Sequence, residues 1–101
     1  MQKIDKETVF NSLKEVYDIE IGFDIVSLGL VYNVEVDDNN NVHILLTMTT
    51  PMCPLIGLII ENVKEKVKGL ENVNDVEVEL TFDPPWDPSM ASDKVRMLLG
   101  L

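Results

Sequence analysis

The residues best suited to chemistry lie in Thr47-Met48-Thr49-Thr50-Pro51-Met52-Cys53-Pro54-Leu55, which holds the chain's single cysteine between two prolines and behind a run of threonine hydroxyls. Pro54 fits the first turn of a helix, because its fixed φ is already helical and its missing N–H would have had no partner there. Cys53 is therefore expected at or beside the N-cap, where free backbone N–H groups and the positive end of the helix dipole favour an anion. A thiol so placed ionises more readily than a free one and becomes a better nucleophile and a better ligand for soft metals. A lone cysteine serves equally well as a buried structural residue, and local sequence does not separate these readings. Pro51 drives Thr50 towards extended geometry and stiffens the turn.

The elements that would position this turn are legible from periodicity. Asp5 is a candidate cap for a first helix, in which Val9, Phe10, Leu13, Val16 and Tyr17 share one face. Asp18-Ile19-Glu20-Ile21-Gly22 breaks that pattern as an acidic loop, either a polar linker or a place where two carboxylates reach a site. Residues 30–37 alternate as a strand, with Tyr32, Val34 and Val36 on one face and Asn33, Glu35 and Asp37 on the other. Asp38-Asn39-Asn40-Asn41 is a turn. A second strand over residues 42–49 places Val42, Ile44, Leu46 and Met48 opposite His43, Leu45, Thr47 and Thr49, and the two strands read as an antiparallel hairpin.

Beyond the cysteine turn, Leu55, Ile56, Ile59, Ile60, Val63 and Val67 form the stripe of a central helix, which Gly69 would stop. A third strand spans residues 76–82, with Val76, Val78, Leu80 and Phe82 inward. Asp83-Pro84-Pro85-Trp86-Asp87-Pro88 is too rich in proline for strand or helix. Its Trp86 is suited either to anchor a partner or to lid the edge of the core. Asp87 and Pro88 would start a last helix with Met90, Val95, Leu98 and Leu99 apolar and Gly100 as its end. The expected fold is α+β: a small two-layer sandwich in the order α-β-β-α-β-α, its three-stranded sheet covered on one face by helices.

Residues 1–101 are expected to form a single domain, and an apolar fraction of 46% is enough for a core. No apolar run approaches the roughly 20 residues of a membrane span, and Met1-Gln2-Lys3-Ile4-Asp5 does not resemble a signal peptide. A single cysteine makes no internal disulfide, which points to the cytoplasm. A formal charge of −10 disfavours nucleic acid and anionic membranes as partners, while suiting a basic protein or a cation. A nucleophilic enzyme would need a base for Cys53. The only histidine, His43, would lie roughly 20 Å along its strand from Thr49, too far for proton transfer. No Cys/His spacing suggests a zinc site.

Together these residues resemble the SufT/PaaD-type family of metal–sulfur cluster assembly domains, to which the eukaryotic cytosolic iron–sulfur targeting factors also belong. The family's Asp-Pro-Glu corresponds to Asp18-Ile19-Glu20, with isoleucine for proline, and its Leu-Gly-Leu-Val-Tyr is intact as Leu28-Gly29-Leu30-Val31-Tyr32. Its Leu-Thr-x-Pro-x-Cys-Pro turn corresponds to Met48-Thr49-Thr50-Pro51-Met52-Cys53-Pro54, and its Pro-Pro-Trp and closing Leu-Gly to Pro84-Pro85-Trp86 and Leu99-Gly100. The resemblance spans nearly the whole chain. It implies the fold of the C-terminal scaffold domain of NifU-type proteins and a role in iron–sulfur protein maturation. It also implies that Cys53 is the metal ligand, with Asp18, Glu20, Thr49 and Thr50 lining the site. PaaD proteins carry a further cysteine-rich segment that is absent up to Leu101, so general assembly is expected rather than service to a ring oxygenase.

An iron–sulfur cluster usually takes four thiolates, and this chain offers one. A cluster is thus expected to be transient, or shared between the subunits of a homodimer, with assembly machinery and apo-target proteins as partners. The alternative is a protein–protein adaptor in which Cys53 is structural. In either reading the chain is not an enzyme.

Overall fold

The structure, a computed structural model, describes residues 4–18, 22–48 and 56–100. Asp5 caps helix α1 (Lys6–Leu13) as expected: its carboxylate accepts the Thr8 backbone N–H at 2.8 Å, and Val9 and Leu13 are buried. The segment after α1 is more ordered than an acidic loop. Tyr17–Asp18 (β1) and Phe23–Asp24 (β2) pair antiparallel as a short ribbon, too brief for alternation to reveal.

The hairpin is present as β3 (Val31–Val36) and β4 (Asn41–Leu46). Its turn is held by Asp37, whose carboxylate accepts the N–H groups of Asn39 and Asn41 at 2.8 and 2.9 Å. Asn40 takes the left-handed conformation there, φ 61°. One expectation fails at the start of β3. The register slips between Val31 and Asn33, so Val31 rather than Tyr32 faces Leu46. This bulge takes Tyr32 out of the row of Val34 and Val36, and its hydroxyl instead donates to the Pro84 carbonyl at 2.8 Å.

Helix α2 (Ile56–Lys68) buries Ile59, Val63 and Val67 and leads to β5 (Asp75–Leu80). Strand β5 pairs parallel to β4, giving the sheet order β3-β4-β5, with β4 in the centre. A parallel neighbour requires a crossover, and α2 supplies it. Helix α1 contacts both α2 and β3, and α2 contacts β5. Val34, Val42, Ile44 and Leu46 meet Val9, Leu13, Ile59 and Val63 in one core. The two-layer α+β arrangement is therefore as read from the pattern. Among the described residues, nothing lies close to Gly57 in α2, so no close backbone approach there accounts for it.

The C-terminal region differs in detail. Asp87 caps a single 3-10 turn, Pro88–Met90, not the last helix. Helix α3 (Asp93–Leu99) is capped instead by the Ser92 hydroxyl and closed by Gly100 at φ 74°. Val95 is buried, whereas Leu98 is 64% exposed. Among the described residues, no helix is long and apolar enough to cross a membrane.

Candidate functional site

In a parallel strand–helix–strand unit, the connection leaving the carboxyl end of a strand is the usual place for a ligand. Here that unit is β4-α2-β5, and residues 47–55 form the connection. The sequence puts Cys53, Thr49 and Thr50 in it, and these three lie outside the described residues, as does Glu20. The expectation that Pro54 opens the helix with Cys53 at its cap also falls there.

The described residues at the mouth of the connection are tightly held. The Thr47 backbone N–H donates to the Leu30 carbonyl at 2.8 Å, and the Thr81 N–H donates to the Leu46 carbonyl at 2.8 Å, so β4 is gripped from both sides where it ends. Met48 is buried. Thr47, which alternation puts on the outer face, is fully buried, and its hydroxyl has no hydrogen-bond partner among the described residues. A buried hydroxyl left unpaired costs about 1–3 kcal/mol, which makes Thr47, at the start of the connection that carries Cys53, a candidate for a role there. Thr47 was not among the candidates that the sequence suggested. The available signal was its place on the same strand face as Thr49, two positions on.

Asp18 lies in β1 and is only 1% exposed, an uncommon place for a carboxylate. The Gly22 N–H donates to the Asp18 carbonyl at 2.7 Å. The acidic segment therefore starts as part of the folded body, not as a solvated linker.

Trp86 is half-buried against the core, and its indole N–H donates to the Leu28 carbonyl at 2.7 Å. It belongs to a wider seam between residues 27–32 and 83–92. The Ser92 N–H donates to the Ser27 carbonyl at 2.8 Å, and Tyr32 reaches both the Pro84 carbonyl and the Met90 sulfur. Gly29, at φ 77°, lies against the Met90 backbone with no room for a β-carbon. The Leu-Gly-Leu-Val-Tyr and Pro-Pro-Trp motifs, read separately in the sequence, form the two sides of one seam.

His43 sits on the outer sheet face with Nε2 3.2 Å from Glu79 Oε1. Among the described residues, no three His, Cys, Asp or Glu side chains converge to hold a metal ion. Exposed carboxylates at the periphery are held ionised by local donors: Asp5 by Thr8, Asp75 by the Val76 N–H and Lys68, and Asp87 by Ser89.

Comparison with known proteins gives this geometry its context. The model of the family described as "Iron-sulfur cluster assembly protein" matches residues 6–80. The "Fe-S protein maturation auxiliary factor YitW" of Bacillus subtilis is 39% identical over 101 residues, covering 100% of this chain and 99% of that protein. The "Fe-S protein maturation auxiliary factor SufT" of Staphylococcus aureus is 40% identical over 86 residues, 85% of this chain and 98% of that one. The solved structure of a conserved hypothetical protein from Thermotoga maritima superposes with a TM-score of 0.90 at 55% identity, covering 100% of this chain and 99% of that one.

Proposed function

This chain belongs to the iron–sulfur cluster assembly protein family, and we propose that it serves iron–sulfur protein maturation as a non-catalytic accessory factor whose Cys53 thiolate binds the iron or cluster in transit. The observation that carries the reading is the position of the connection bearing Cys53, at the carboxyl end of the central strand in a parallel strand–helix–strand unit. Thr47, buried at the start of that connection with a hydroxyl that has no partner among the described residues, adds a hydrogen-bond donor of the kind that stabilises a thiolate or a cluster sulfur. Asp18, Glu20, Thr49 and Thr50 are the proposed lining of the site. The half-exposed Trp86 is a proposed partner contact whose N–H is already engaged by Leu28.

The cluster is cargo in this reading. One cysteine does not complete the coordination of an iron–sulfur cluster, so the remaining ligands come from a second subunit, a carrier or the target. The proposed partners are accordingly the assembly machinery and apo-targets, in the cytoplasm.

Anaerobic reconstitution with ferrous iron and sulfide, on the wild type and Cys53→Ala in parallel, tests this. Visible absorption and bound iron and sulfide per chain are read after desalting, alongside the oligomeric state. The expected result is a cluster in the wild type that is lost in the variant while folding is unchanged. No bound iron in either protein would overturn the carrier reading and leave a protein–protein adaptor.

A further inference from the structure

We propose that the face of the sheet turned away from α1 and α2 docks a basic segment of a protein partner that carries one large apolar anchor. The strand register assembles this face. Across β3, β4 and β5, Glu35 lies opposite His43 and His43 opposite Glu77. In the next row Asn33 lies opposite Leu45 and Leu45 opposite Glu79. Residues directly opposite one another share a face, so Glu35, Glu77 and Glu79 stand together around one histidine. No lysine or arginine occurs in any of the three strands. Lys68, at the rim of the sheet, is taken by Asp75 at 3.3 Å.

At its other end the same face becomes apolar. Tyr32, Leu45, Pro84 and Met90 line a groove of about 640 Å³, with Val31 and Asp83 on its border. The bulge at Tyr32 and the seam that seats Pro84 and Met90 create the groove, and Met90 is 37% exposed in it. Leu45 belongs both to the groove and to the row of Glu79, so the apolar and acidic regions are continuous.

Charge complementarity selects the occupant. The acidic rows repel nucleic acid and anionic lipid. They also repel a second copy of this chain, which carries the same −10. A peptide segment with an apolar side chain in the groove and Lys or Arg over the glutamates satisfies both regions, the anchor supplying affinity and the charges register and on-rate. This deepens the functional reading by giving the chemistry of a partner. Its test uses neither iron nor sulfide, so the two readings fail separately.

Fluorescein-labelled peptides with a single Leu, Phe or Trp anchor followed by lysines at alternate positions are titrated with the full chain and with its Cys53→Ala variant. Anisotropy gives the dissociation constant. Controls carry serine at the anchor or glutamate for lysine, and the protein control is E35K/E77K/E79K, exposed positions whose substitution is checked by circular dichroism and thermal melting. Saturable binding is expected for at least one anchor, unchanged by Cys53→Ala. It should weaken by at least about tenfold with the serine anchor and again with the charge-reversed protein, the second loss being larger at low than at high salt. Amide shifts should map to Tyr32, Asn33, Leu45, Glu79 and Met90. Absence of saturable binding, equal affinity for the serine peptide or the charge-reversed protein, or shifts confined to the helical face would overturn the proposal.

Discussion

Gly29 and Met90 lie backbone to backbone, so close that a β-carbon on Gly29 would collide with the Met90 carbonyl. Gly29 also has φ 77°, in the left-handed region. Gly29→Ala therefore incurs two costs, about 1–2 kcal/mol for the backbone conformation and a displacement of the 3-10 turn besides. Gly22 has φ 86° but no described residue close to where its β-carbon would stand, so Gly22→Ala is expected to incur only the first. Urea denaturation should find Gly29→Ala less stable than Gly22→Ala by about 1–3 kcal/mol. Equal losses would mean that the contact with Met90 is easily relieved.

Trp86 is the sole tryptophan, and its indole N–H reaches the Leu28 carbonyl at 2.7 Å. Trp86→Phe keeps most of the packing and leaves that carbonyl without its donor, an expected loss of about 1 kcal/mol. Trp86→Ala removes the ring as well and should lose about 2–4 kcal/mol, discounted from a fully buried site because the ring is half-exposed. In the wild type, tryptophan emission should shift to the red as the seam opens. A shift that precedes the loss of helical ellipticity would show the seam opening on its own.

Thr47→Val replaces a fully buried hydroxyl that has no partner among the described residues with a methyl group of similar size. The expected change is a gain of about 1 kcal/mol in stability, unlike most core substitutions. If the hydroxyl serves the cysteine turn, iron and sulfide retained in reconstitution should fall in the same variant. Gain in one measurement with loss in the other is the signature of a residue kept for function.

Asp5, Asp75 and Asp87 all have pKa values below the ordinary carboxylate value. For Asp5 the cause is the Thr8 side chain and then its N–H. For Asp75 it is the Val76 N–H and then Lys68, and for Asp87 it is the Ser89 N–H and then its side chain. Lowered folded values mean that the unfolded chain takes up protons first as pH falls. Their contribution is complete above about pH 4, and is lost as pH drops through the lowered folded values. Urea midpoints measured from pH 7 to pH 2.5 should therefore fall less steeply at the acid end for D5N/D75N/D87N than for the wild type. Asparagine can still cap at positions 5 and 87, so the neutral-pH loss there should be small.

Much of the fold is legible because the strands and helices obey their periods. Val42, Ile44 and Leu46 alternate inward, Ile59, Val63 and Val67 recur at helical spacing, and Asp5 caps where a cap was expected. The misreadings are local geometry that period does not encode. The bulge at Tyr32 depends on the residues it must reach, Pro84 and Met90, more than fifty positions away. Ser92, not Asp87, starts α3 because Pro88 begins a 3-10 turn that ends at Met90, and either residue type makes a good cap. Parallel pairing of β4 with β5 follows from topology, not from either strand's composition. Of the candidate site, the sequence put Asp18 forward without its burial, and it counted Thr47 among outward positions because alternation is blind to what covers a strand end.

The parallel pairing also sets an order of events during synthesis. Strands β3 and β4 are neighbours in sequence and can close as soon as both leave the ribosome, whereas β4 acquires its other neighbour only once residue 80 has emerged. Until then the central strand presents an open edge with apolar Val42, Ile44 and Leu46, the kind of surface on which nascent chains associate wrongly. The stretch carrying Cys53 is the very segment that separates the finished hairpin from its missing strand. A nascent chain thus has its thiol in hand before it has a completed sheet to support it.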